Sequence, residues 1–182
     1  MSKEHQILTE LLMTETSRRN TDMIADLVFQ KPELFPALMA IFFQNEEPIS
    51  RRAVWVIDTL AEKVPQILEP YFERVILILP EFQHDGLKRN TLRMLSRADI
   101  PLNQCGMLIK TCFDWLISPA ESVAVKVFAM DILYRFSRIE PDLKKELADS
   151  IEFRLAEETP GFRNHGEKIL KRLYREMKGG FL

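Results

Sequence analysis

Arg97, Arg135 and Arg172 each stand two places after a leucine (Leu95, Leu133, Leu170) in a column of leucines that begins with Leu27 and Leu60. Arg93 and Lys168 stand two places before leucines of the same column, and Lys88 and Arg89 lie just upstream of Arg93. Guanidinium groups held in one register suit carboxylates and phosphates, because the planar fork binds an oxyanion through two parallel hydrogen bonds. On adjacent packed helices the three arginines would stand ~10 Å apart. Lys88, Arg89, Arg93, Arg97, Arg135, Lys168 and Arg172 are therefore the candidate partner-binding residues. The competing reading is a solvated face whose cations make stray ion pairs with Asp131 and Glu62. Exposed pairs of that kind contribute about 0–1 kcal/mol each.

Other chemistry finds little support. His5, His84 and His165 are far apart in the chain, and no His, Cys, Asp or Glu grouping has metal-ligand spacing. No nucleophile sits in a glycine-rich elbow, and no glycine-rich loop cradles phosphate. No cofactor or metal is expected. Asp58 and Glu62 lie one helical turn apart, but Arg52 and Lys63 beside them read as an ordinary charged face. Cys105 and Cys112 are two helical turns apart, ~10 Å by helical rise, too far for a disulfide. They read as buried reduced thiols.

The elements that position these residues repeat. Ser17-Arg18-Arg19, followed by Met23, Ile24, Leu27 and Pro32, returns as Ser50-Arg51-Arg52, followed by Val56, Ile57, Leu60 and Pro65, at an offset of 33 throughout. The leucine column then continues at steps of 35, 38 and 37 residues. Self-similarity at this period marks a solenoid, in which each unit buries its apolar face against its neighbours. Apolar residues recur at three and four, and strand-like alternation is absent. Ten prolines fall mostly at the ends of the helical stretches; Pro36 suits a first turn and Pro80 should end or kink a helix. First helices are expected over 3–16, 33–46, 69–83, 103–118 and 142–158, and second helices over 17–30, 49–64, 85–98, 121–139 and 162–178. Short connections make successive helices antiparallel. The core should draw on Leu27, Leu60, Leu95 and Leu133 from second helices, and on Phe35, Phe42, Phe113, Ile151 and Leu155 from first helices. Trp55 is expected in that core as well.

The second helices carry the resemblance. Glu121-Ser122-Val123-Ala124-Val125-Lys126, running on to Leu133, has an acidic start, an early cation and then small and apolar residues. Asp85-Gly86-Leu87-Lys88-Arg89 to Leu95 is a rougher copy. In this the chain resembles the HEAT-repeat (armadillo-like) family. The resemblance implies an all-α, right-handed α-α superhelix of about ten antiparallel helices in five two-helix repeats. It covers 1–178 as a single domain, with 179–182 a flexible tail. Trp55 and Phe128 depart from it where small residues are commoner, and Gly166-Glu167 interrupts the last apolar stripe, so the final helix reads as a cap with one solvated face.

Net charge is −2, yet the first helices with Glu47 sum to −10 and the second helices with Glu140 sum to +8, Lys31 and Asp99 cancelling. The resemblance places second helices on the concave side, which implies a basic inner face and an acidic back. The early cations Arg19, Arg52, Lys88, Lys126 and Arg163 read as structural, pairing with Glu46, Glu47, Asp85, Glu121 or Glu158. The resulting reading is a non-enzymatic protein-binding or scaffold module, a monomer, holding an acidic protein segment. The alternative is nucleic-acid binding, since some HEAT-like proteins resemble alkylated-base DNA glycosylases and the chain has Trp55, Asp58, Trp115 and the arginines. A pI near 6 counts against a dedicated DNA-binding enzyme. No secretory signal opens the sequence, and no apolar run approaches the ~18 residues of a membrane span, so the expected location is cytoplasmic.

Overall fold

Serine side chains start the first two helices. Ser2 Oγ accepts from the His5 N–H at 3.2 Å and Ser17 Oγ from the Asn20 N–H at 3.0 Å, each satisfying a donor with no partner inside its helix. The computed structural model describes residues 2–179, and over these the protein is all-helical, with no strand. Ten α-helices follow in order: α1 (Lys3–Thr14), α2 (Arg18–Gln30), α3 (Phe35–Phe42), α4 (Ile49–Lys63), α5 (Phe72–Ile78), α6 (Asp85–Arg97), α7 (Gly106–Ile117), α8 (Val123–Ser137), α9 (Leu143–Leu155) and α10 (Pro160–Gly179). No helix among the described residues is long and apolar enough to cross a membrane. Of the expected tail, Gly179 closes α10 and the last three residues lie outside the described chain.

The second helices fall close to their expected bounds, but two first helices are shorter. α3 has 8 residues and α5 has 7, flanked by 3-10 turns at Pro32–Leu34, Pro65–Tyr71 and Leu79–Glu81. Each of those turns contains proline, which has no N–H for an i−4 bond and crowds the preceding turn. Pro36 does sit in the first turn of α3, and α5 ends two residues before Pro80.

The chain divides into two compact units. One runs up to Met94 and takes in Ala98–Ile100; the other holds Leu95–Arg97 and the chain from Pro101. In the first, α1 packs on α3 and α2 on α4, with α3 also on α4. In the second, α7 packs on α8 and α9, and α10 on α8 and α9. The contacts of α1 with α3, α2 with α4, α7 with α9 and α8 with α10, each between a helix and the next but one, are the stacking a helical solenoid requires.

Leu60, Leu95, Leu133 and Leu170 are buried as the repeat requires. Leu27, Phe113 and Leu155 are only half-buried. In α2 the buried stripe is Thr21, Ile24, Ala25 and Val28, which puts Leu27 at its edge. In α7 it is Leu108, Thr111, Cys112, Trp115 and Leu116, with Phe113 beside it. At the end of α9, Arg154 takes the buried position instead of Leu155.

Candidate functional site

In the first unit, α6 presents Lys88, Arg89 and Arg93 in different settings. Lys88 is half-buried, whereas Arg89 is exposed and has no ion pair among the described residues. Arg93 Nη2 donates to Asp58 Oδ2 across from α4. Asp58 is 1% exposed, so it is not part of a solvated charged face as its neighbours suggested. A buried carboxylate needs a partner to offset its lost hydration, and Arg93 supplies one. Lys63 pairs instead with Asp26 at 2.5 Å. Trp55 departs from expectation as well. It is half-buried and lines a cavity of about 160 Å³ together with Arg51, Arg89, Asn90 and Arg93.

The remaining candidates belong to the second unit. Arg135 Nη1 donates to the Ser96 carbonyl at 3.0 Å, so this guanidinium also has a structural task. The Arg172 guanidinium lies 5.8 Å from the centre of the Tyr134 ring, within reach of a cation–π contact. Tyr134 in turn donates to Glu176 at 2.7 Å, and Lys144 pairs with that carboxylate at 3.1 Å. The Tyr134 hydrogen bond and the Lys144 charge hold Glu176 below the ordinary carboxylate range, against a smaller upward push from burial. Asp131, expected among the arginines, accepts from His165 Nε2 at 2.8 Å.

Lys168 and Arg172 are exposed on α10, and so are Lys171 and Arg175, which pattern reading passed over. Positions 168, 171, 172 and 175 follow helical spacing and form one stripe. The core face of α10 is made by Phe162, Gly166, Ile169, Leu170 and Leu173, on the other side of the helix. No ion pair joins Lys168, Lys171 or Arg175 to any described residue. The i, i+3, i+4, i+7 pattern was the signal that would have found Lys171 and Arg175.

Of the early cations, Arg52, Lys126 and Arg163 make structural contacts, each in its own way. Arg52 Nη1 donates to the Leu12 carbonyl at 2.8 Å and Arg163 Nε to the Glu158 carbonyl at 2.8 Å. Lys126 is 2% exposed and donates to Glu158, which also accepts from Arg154 Nη2 at 2.8 Å. Burial pushes the Glu158 carboxyl up, but the hydrogen bonds and charges of Lys126 and Arg154 outweigh it and leave the group below its ordinary value. Arg19 remains exposed. Cys105 and Cys112 are both free and buried, and burial raises both thiols, that of Cys112 strongly.

Trp115 is buried on α7 in the second unit, and Trp55 lies on α4 in the first.

Among protein families, the HEAT repeat domain matches the chain over residues 8–173. No curated protein and no solved structure matches it.

Proposed function

Because the chain belongs to the HEAT-repeat family, whose repeats generally mediate protein–protein interaction or scaffolding, we propose that it is a non-enzymatic binding module for an acidic segment of another protein. The observation that carries this reading is the exposed basic stripe of α10. Lys168, Lys171, Arg172 and Arg175 place like charges along one helix face, where each raises the energy of the others. Such a face gains from a partner that neutralises it, and electrostatic complementarity then sets encounter rate and specificity. Arg172 is further held by the Tyr134 ring, which limits the rotamer freedom lost on binding. Arg97 and Arg135, on α6 and α8, belong to the same unit and are assigned to the same partner.

The test is fluorescence anisotropy of a labelled oligoglutamate peptide against the protein, alongside a labelled short DNA duplex. Lys168→Glu with Arg172→Glu should weaken peptide binding by at least about tenfold while leaving helicity and melting temperature unchanged. Loss of fold together with binding would overturn the reading. Tighter binding of DNA than of peptide, with affinity falling steeply as salt rises, would replace it with nucleic-acid binding.

A further inference from the structure

We propose that the cavity between α4 and α6 is a seat for the phosphate of a phosphate monoester. It is lined by Arg51, Trp55, Arg89, Asn90 and Arg93, all within the first unit, and is therefore a different site from the stripe on α10. At about 160 Å³ it has the room of roughly five waters, enough for a phosphate group but not for a whole nucleotide.

The donors suit that occupant. Arg51 and Arg93 are each held by a carboxylate: Arg51 Nε donates to Glu47 Oε2 at 2.9 Å, and Arg93 to buried Asp58. These pairs hold two guanidinium groups, each a planar fork of N–H donors, at the wall of the cavity. Arg89 contributes the charge that no described residue offsets. Asn90, 6% exposed, lines the cavity, and its carboxamide N–H groups can donate to a ligand oxygen there. A tetrahedral dianion offers oxygens in several directions at once, as this set of donors requires, whereas a carboxylate offers two in one plane. The half-buried Trp55 ring supplies an apolar wall for the group that carries the phosphate.

A Cβ built on Gly86 would lie 2.4 Å from Arg51 Cδ, so a larger residue there would push the Arg51 side chain aside. No backbone strain accompanies this glycine, whose φ is negative.

The experiment is titration of the full chain with inorganic phosphate, phenyl phosphate and benzoate at about pH 7.5, where the phosphates are largely dianionic. The readout is the two tryptophan indole N–H signals in a nitrogen-correlated NMR spectrum, with Trp55→Phe assigning them. Phenyl phosphate should move the Trp55 signal and leave Trp115 in place, and benzoate should bind at least about tenfold more weakly. Arg89→Glu should raise the phenyl phosphate Kd at least about tenfold. Gly86→Ala should raise it several-fold with no loss of melting temperature, because it displaces Arg51 without changing charge and alanine favours helix. Tighter binding of phenyl phosphate than of inorganic phosphate assigns the seat to an esterified carrier; equal binding assigns it to free phosphate. A Trp55 signal unmoved at about 10 mM phenyl phosphate, equal affinity for benzoate, or unchanged affinity in both variants would overturn the proposal. These probes need no protein partner, so the outcome is independent of the acidic-segment reading.

Discussion

Lys126 occupies a position that the repeat reserves for a cation, yet the helix around it is core. Its ammonium group reaches Glu158, which Arg154 also holds, and all three are buried. Taking Lys126 away leaves Glu158 with Arg154 alone in a buried setting and empties the space its stem filled. Lys126→Ala should therefore lower stability by about 3 kcal/mol in urea unfolding, more than an exposed lysine would. The same network gives an acid limb to stability. Glu158 has a folded pKa below its unfolded value of 4.5, so its contribution is fully present above that pH. It is lost as pH falls through the lower folded value. Melting temperature should be flat down to about pH 5 and drop below it, and Glu158→Gln should flatten that drop. The thiols make a simpler case. Burial raises both, so Cys105 and Cys112 should resist alkylation at neutral pH until the protein unfolds, as mass spectrometry with a maleimide would show.

α9 and α10 approach closely at Gly166, where a Cβ would lie 2.9 Å from Ile151 Cγ2, a branch held near its own backbone. Gly166→Val should cost about 2 kcal/mol by overpacking, despite the better helix propensity of valine over glycine. Gly161→Ala, whose Cβ would meet nothing nearer than 3.7 Å, should stay within about 0.5 kcal/mol of the parent in the same denaturation assay. Gly166 also shows how much of the elements could be read in advance. In the sequence it looked like a gap in an apolar stripe, and in the structure it is buried against Ile151 of α9. Helical spacing and the leucine column carry the second helices, because periodicity is a local signal that survives packing. The prolines gave away Pro36 and the end of α5, but not that 3-10 turns would replace half of two helices. Trp55 and Asp58 resisted reading for another reason. Their burial depends on what stands opposite, Arg93 and Asn90 on α6, and no single-helix pattern contains that. Equal tripeptides likewise part company: Ser17 caps α2, whereas Ser50 lies inside α4 and donates to the Ile41 carbonyl at 2.8 Å.

Across the whole molecule, near-neutrality is a sum of unlike parts. The net charge of −2 combines acidic first helices with basic second helices, and α10 alone exposes four cations on one stripe. A molecule of this kind has little net repulsion between copies near its pI of 6.0, while unlike patches attract at close range. Added salt screens that attraction over a Debye length of about 10 Å at 0.1 M. The protein should therefore salt in: at about pH 6 its second virial coefficient, measured by static light scattering, should rise from negative toward positive as salt is added up to about 0.2 M. Lys168→Glu with Arg172→Glu should remove most of that salt response. Purification in dilute buffer would then favour clouding, and dialysis into moderate salt would reverse it.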